Sequence, residues 1–309
     1  MTALREWART AAEPELRGEL RCGEPLAEHT SWRVGGPAER FYLPADREDL
    51  LVFLGALPAA EPLFWLGLGS NLLVRDGGMR GTVICTRNRL RALRRSGDDR
   101  VYAEAGVPCA LVAKFCAEQG LAGAEFLAGI PGTLGGALAM NAGAFGGETW
   151  NLVRAVTSVD RLGRVHERAP AEYEIGYRSV QGPDGEWFLA AELGLGIGEN
   201  AASRARIKAL LARRSETQPL QQPSCGSVFR NPPGDHAARL IEAAGLKGFT
   251  LGGAKVSEKH ANFIVNTGSA TAADIERVIL HVQAEVLRSQ GRHLVPEVRI
   301  VGEPAQEQP

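Results

Sequence analysis

Residues 67–73, Gly-Leu-Gly-Ser-Asn-Leu-Leu, follow the apolar run Leu63-Phe64-Trp65-Leu66, and residues 127–147 read LAGIPGTLGGALAMNAGAFGG. The second stretch holds seven glycines and one proline and carries no charge. Each glycine inside a helix or strand costs backbone entropy, so such a density points to backbone passing close to a neighbour. Successive backbone N–H groups in a tight glycine turn form a nest that binds phosphate oxygens. Ser70 and Asn71 can add side-chain donors to such a nest. Pro131-Gly132-Thr133-Leu134-Gly135-Gly136, followed by Met140-Asn141-Ala142-Gly143-Ala144, suits a helix N-terminus facing a pyrophosphate. Ordinary strand turns and close helix packing are the alternative readings of either stretch alone. The third glycine of GxGxxG is absent and no GxxxxGK[ST] occurs, so neither a Rossmann fingerprint nor a P-loop is present.

These turns need elements to hold them. The pattern predicts a helix over 46–57, with Asp46 as N-cap and Asp49 three positions on. It predicts strands at 63–66, 81–85 and 101–105, and a helix from Pro108 to about Gln119 closed by Gly120. Strand-like runs occupy 152–160 and 186–195, with a hairpin around Gly163. A helix over 200–215 marks the passage to another domain. That last part is expected to hold helices at 235–244 and 271–289 and strands near 262–266 and 297–301. The capping box Thr271-Ala-Ala-Asp274 opens the 271–289 helix, and Ile275, Val278, Ile279, Val282 and Val286 line one of its faces. Strands alternating with helices in several lobes give the class α+β.

The chain is long enough for two or three domains. With a formal net charge of −1 and no basic block, it is not expected to bind nucleic acid. Five scattered cysteines without a CxxC pair imply neither a metal site nor a disulfide framework, and suit reduced thiols in the cytoplasm. The N-terminus, MTALREWARTAAEPELRGEL, is charged throughout and lacks the apolar core of a signal peptide. Residues 127–147 are uncharged, but too few are strongly apolar, and Pro131 and Asn141 interrupt them, so no membrane span is expected.

Gly-x-Gly-Ser-Asn-Leu-Leu, Gly-Ile-Pro-Gly-Thr-x-Gly-Gly and Met-Asn-Ala-Gly-Ala, in this order and spacing, resemble the UDP-N-acetylenolpyruvoylglucosamine reductase family. The resemblance runs from Thr30-Ser31-Trp32-Arg33-Val34-Gly35-Gly36 to Pro296-Glu297-Val298-Arg299. It implies a two-lobed FAD-binding module of the vanillyl-alcohol-oxidase (PCMH) type over 31–200, with lobes of about 31–86 and 87–200. A helical segment over 1–30 would precede the module, and an α+β substrate-binding domain over 201–309 would follow. FAD would be held non-covalently by Arg33, Gly35, Gly36, Gly67, Gly69, Ser70, Asn71, Leu72, Leu73, Gly132, Thr133, Gly135, Gly136, Asn141, Ala142, Gly143 and Ala144. The implied reaction makes UDP-N-acetylmuramate for peptidoglycan. Hydride passes from NADPH through the flavin to the methylene carbon of an enolpyruvyl ether on a UDP-sugar. Another flavin oxidase on the same module is the alternative.

Three residues match the family's catalytic set: Arg178 in Glu-Ile-Gly-Tyr-Arg, Ser227 in Ser-Cys-Gly-Ser-Val-Phe-Arg-Asn-Pro, and Glu297 in Val-Pro-Glu-Val. Negative charge that develops beside the substrate carboxylate needs stabilisation. Arg178 would supply a permanent cation with a carboxylate-matched fork. Glu297 would act protonated, which implies a raised pKa. Ser227 would deliver the final proton, helped by a polarising neighbour or a water relay. Tyr177, Arg230, Asn231, Lys259, His260 and Asn262 are candidates for substrate or nicotinamide contacts. Two positions depart from the family pattern. Val180 stands where serine is usual, and Arg230 where lysine is common. The spacing between Arg178 and Ser227 leaves no room for a substrate-covering loop, which matches the family's second subclass.

Overall fold

The computed structural model describes residues 16–305. Strands β1 (Glu19–Pro25), β2 (Pro37–Leu43), β3 (Leu63–Leu66), β4 (Leu72–Val74) and β5 (Met79–Cys85) make up the first lobe. Four of them form one sheet in the order β1-β2-β5-β3, with β5 parallel to both β2 and β3. Helix α1 (Arg47–Ala56) connects β2 to β3 and starts where expected, with the Asp46 carboxylate accepting from Asp49 N at 2.9 Å. The second lobe contains β6 (Leu93–Arg95), β7 (Arg100–Glu104), β8 (Val153–Asp160), β9 (Val165–Arg168), the hairpin β10 (Glu174–Gly176) and β11 (Ser179–Gln181), and β12 (Glu186–Gly194). Its main sheet is antiparallel in the order β9-β8-β12-β7-β6 and packs on α2 (Cys109–Glu118) and the short α3 (Leu134–Ala139). Tyr42, Leu50, Phe53 and Ile84 from the first lobe share one buried cluster with Leu90, Ala105, Val159 and Leu189, which joins the two lobes.

Helix α4 (Asn200–Thr217) leads to the third part, built from α5 (Ala237–Ala243), α6 (Ala272–Gln290) and a sheet of β13 (Thr250–Leu251), β14 (Ala254–Val256) and β15 (Ile264–Asn266). The apolar stripe of α6 is buried at all five expected positions, and its capping box closes at 3.1 Å in both directions. The chain then returns to the first lobe. Strand β16 (Arg299–Val301) runs parallel to β4, with Arg299 opposite Leu72. Trp32, wholly buried, donates from its indole to Ile264 O at 2.7 Å and so pins the 30–36 loop to the third part.

One expectation needs correction. Residues 19–25 are not helical but form an edge strand, held antiparallel to β2. Its backbone spends its donors and acceptors in that ladder, which the charged composition does not reveal. Leu26–His29 forms a single 3-10 turn, and residues 1–15 of the expected helical segment lie outside the described residues. The uncharged 127–147 stretch folds into short turns around the six-residue α3, and among the described residues no helix is long and apolar enough to cross a membrane.

Asp76 joins the first lobe to the third part by accepting from Ala272 N and Ala273 N, both at 2.9 Å, at the N-terminus of α6. These are orphan amides of a first helical turn, and a carboxylate there also meets the positive end of the helix dipole. Asp76→Ala should therefore lower stability by about 1 kcal/mol, read as a lower urea midpoint at unchanged slope. An unchanged midpoint would show that this cap contributes nothing.

Candidate active site

Glu297 is where the separate parts meet. Its N–H donates to Val228 O at 2.7 Å, next to Ser227, and Phe229 forms an antiparallel bridge with Pro296. Its carbonyl accepts from Asn71 Nδ2 at 3.1 Å, which ties it to the first glycine turn. Its carboxylate accepts from Arg178 Nε at 3.1 Å, both side chains being largely buried. Arg178, Ser227 and Glu297, the three residues expected to be catalytic, thus line one cavity of about 300 Å³.

Arg178 sits in the two-residue turn between β10 and β11, at φ +53°, a left-handed conformation that is strained for a side chain of its size. Its guanidinium is held from behind as well. Nη1 donates to Asn141 O at 3.2 Å and Nη2 to Gly143 O at 3.0 Å. The fork retains N–H donors beyond these bonds for a carboxylate in the cavity. Burial pushes the Glu297 carboxyl above the ordinary glutamate range, while the charges of Arg178 and Arg230 oppose the rise. Cys225 lines the same cavity, but burial drives its thiol up to about 12, which keeps it protonated and poorly nucleophilic.

A second cavity, about 250 Å³, lies between the lobes and is lined by Trp65, Gly67, Thr133, Gly135, Gly136 and Trp187 among others. Ser70 and Asn71 of the first glycine turn and Ile130–Pro131 of the second belong to the catalytic cavity, so the two glycine motifs line both spaces. A Cβ added at Gly132 would come no nearer than 3.5 Å to Ser70 Oγ, and one at Gly136 no nearer than 3.7 Å to Thr133 Oγ1. Protein packing therefore does not require glycine at these two positions. The open space at these positions leaves room for a ligand such as a diphosphate to approach the backbone. The Trp65 indole N–H is buried with no partner among the described residues, and the ring stacks on Trp187 with centroids 5.4 Å apart. An unpaired buried donor beside stacked indoles suits a flat heteroaromatic ring. Gly67, Thr133 and Gly136 line this trough and Ser70 lines the catalytic cavity, so these are the residues that would face a dinucleotide of the FAD type.

Several of the residues expected to hold the cofactor also have roles in the protein's own packing. Leu72 and Leu73 form β4 with buried side chains and line neither cavity. Arg33, Gly35 and Gly36 also line neither; the two glycines are needed because a Cβ would strike Val74 or the backbone at Asp76 and Gly78. Gly69 takes φ +66°, where a Cβ would strike His29 O. The Asn141 amide is wholly spent on protein partners, described below, while Ala142, Gly143 and Ala144 do line the catalytic cavity.

The expected substrate contacts separate in the same way. Tyr177 is exposed at the cavity with the Arg178 guanidinium 5.0 Å from its ring centre. The buried Arg230 Nε has no partner among the described residues. Asn231 lines the cavity but its Oδ1 accepts from Ala237 N at the start of α5. Asn262 is a clamp: Oδ1 accepts from Phe229 N at 2.9 Å and Nδ2 donates to Phe229 O at 2.8 Å. Lys259 lines a separate polar cavity and donates to Ser215 O at 2.5 Å. His260 lines none of these cavities, and burial holds its pKa below the usual value. Sequence reasoning missed Arg214, which lines the catalytic cavity with the neutral Gln218 as partner at 3.0 Å. Its one signal was an arginine at the end of α4 whose i+4 neighbour is not an acid.

The opposed effects on Glu297 can be separated by titration. In the wild type, carbon-13 NMR of labelled glutamate, assigned by loss of one resonance in Glu297→Gln, should place this carboxyl above free glutamate. Arg178→Ala removes the nearest cation and should raise it further. A fall on removing Arg178 would contradict this electrostatic account.

A sequence model described as the C-terminal domain of UDP-N-acetylenolpyruvoylglucosamine reductase matches residues 218–301, and one described as an FAD binding domain matches residues 38–168. The UDP-N-acetylenolpyruvoylglucosamine reductase of Methylococcus capsulatus is 69% identical over 303 residues, covering 98% of this chain and 99% of the relative. That of Alkalilimnicola ehrlichii is 65% identical, covering 95% and 98%. The crystal structure of the Thermus caldophilus reductase superposes with a TM-score of 0.79 at 34% identity, covering 92% of this chain and 98% of that one. With the convergence of Arg178, Ser227 and Glu297 on one cavity beside a glycine-lined trough, these likenesses show that the chain belongs to the UDP-N-acetylenolpyruvoylglucosamine reductase family.

Proposed function

We propose that Arg178, Glu297 and Ser227 divide the charge and proton chemistry of this family's reaction between them. The chain is an FAD-dependent oxidoreductase that uses NADPH to reduce the enolpyruvyl group of UDP-N-acetylglucosamine enolpyruvate to UDP-N-acetylmuramate for peptidoglycan synthesis. When bound, FAD supplies the hydride chemistry between NADPH and the enolpyruvyl methylene carbon. The side chains must bind the substrate carboxylate, stabilise the charge that arises beside it and supply one proton.

Arg178 binds the carboxylate. Its guanidinium is already aimed by two carbonyls and by Glu297, so little ordering remains at the moment of reaction. Glu297, whose carboxyl burial pushes above the usual glutamate range, donates in its protonated form a hydrogen bond to the enolate oxygen without adding a like charge. Ser227 gives its hydroxyl proton to the carbon next to the carboxylate, which completes the saturated lactyl ether once the methylene has become methyl. The bond from Glu297 N to Val228 O keeps this serine in register with Glu297. Arg214 and Arg230, two cations with few protein partners, are suited to the substrate's phosphates. The observation that carries the reading is the meeting of Arg178, Ser227 and Glu297 in one cavity.

Ser227→Ala separates the steps. Reduction of the flavin by NADPH should proceed at the wild-type rate, whereas reoxidation by the enolpyruvyl substrate should slow by roughly 10²–10⁴-fold, the usual worth of a positioned proton donor. Unchanged reoxidation would remove Ser227 from the mechanism. Turnover of an alcohol with oxygen in the absence of the sugar nucleotide would favour an oxidase instead.

A further inference from the structure

The catalytic arginine needs a reason to point where it does. It stands in a two-residue turn, in a left-handed conformation, on a hairpin of only three residues per strand. Such a turn does not by itself direct a long side chain inward. The support comes from the second glycine stretch. Asn141, 1% exposed and itself at φ +46°, spends its whole amide on protein groups. Nδ2 donates to Gly176 O at 3.1 Å, at the base of the Arg178 turn, and to Glu148 Oε2 at 3.0 Å. Oδ1 accepts from Trp150 N at 3.2 Å. Glu148 in turn lies opposite Gly143 in a small antiparallel pairing of 143–144 with 147–148. That pairing presents the Gly143 carbonyl to Arg178 Nη2.

We propose that Glu148 and Asn141 form a positioning pair for Arg178, an inference that rests on Arg178 binding the substrate carboxylate. Glu148 orients the Asn141 amide, and the amide holds the hairpin at Gly176. The Asn141 and Gly143 carbonyls then fix both ends of the guanidinium. Neither residue touches the reacting atoms. Their effect is confined to the geometry of the cation, so it falls on the step in which the carboxylate carries developing charge.

The test measures both half-reactions of the flavin-loaded enzyme by stopped-flow absorbance. Glu148→Ala should slow reoxidation by the enolpyruvyl substrate about a hundredfold, the scale of an ångström-sized misplacement, with NADPH reduction and flavin content unchanged. Glu148→Gln keeps an acceptor for Asn141 Nδ2 and should restore reoxidation to within a few-fold of wild type. Asn141→Asp tolerates the backbone conformation but cannot donate to Gly176 O, and should reproduce the defect of Glu148→Ala. The proposal is overturned if Glu148→Ala and Asn141→Asp reoxidise at the wild-type rate, if both half-reactions fall by the same factor, or if glutamine rescues no better than alanine. Arg178→Ala, run alongside, keeps the two ideas apart. An unchanged reoxidation rate in that variant overturns the role of Arg178 itself. A slowed one, with the Glu148 and Asn141 variants normal, overturns the positioning alone.

Discussion

Every part of the active site is fastened to Glu297. Its amide reaches the backbone beside Ser227, its carbonyl receives Asn71 from the glycine turn, and its carboxyl meets Arg178. These partners come from the first lobe, the second lobe and the third part of the chain, so the site exists only when all three are in place. The parallel pairing of β16 with β4 makes that convergence possible, because it returns residues 299–301 to the strand that leaves the first glycine turn. A largely buried acid–arginine pair is weak support for stability, since desolvation offsets much of its attraction. Its value here is chemical: burial favours the protonated acid, and the neighbouring cation remains permanently charged.

The two glycine motifs have divided roles. Gly35, Gly36, Gly69 and Gly135 are demanded by the protein's own packing. Gly132 and Gly136 are not, and Gly136 lines the trough between the lobes. Asn141 in the same stretch belongs to neither group. It binds protein only, and it connects the flavin side of the site to the hairpin that carries Arg178. On the proposed reading, one segment serves both the cofactor and the substrate cation.

Much of this was legible in the sequence because the signals were local. The α6 stripe, its capping box, the Asp46 cap and the strand before Gly67 all depend on neighbours within a few residues, and all appear where periodicity places them. The catalytic three were legible only through resemblance, since no spacing along the chain links residues 178, 227 and 297. The edge strand Glu19–Pro25 was missed because its short alternation, Glu19-Leu20-Arg21-Cys22, breaks at Gly23 and leaves its apolar residues exposed. The protein contacts of Asn141 and Asn262 were not legible for a related reason. An asparagine near a cofactor motif and one that clamps a backbone look alike until the partners, 35 and 33 residues away, are seen. Leu72 and Leu73, named for the cofactor by motif membership, bury their side chains in two different clusters on either face of β4, which pairs with β16.

The central claim is that a neutral Glu297 beside a charged Arg178 stabilises the developing enolate. The most direct test is the pH dependence of flavin reoxidation by the enolpyruvyl substrate, measured anaerobically in a single turnover. The rate should be level on the acid side and fall as pH rises through the elevated Glu297 pKa, and Glu297→Gln, which cannot ionise, should abolish that fall. A rate that climbs as Glu297 ionises, or a fall that persists in Glu297→Gln, would contradict the account.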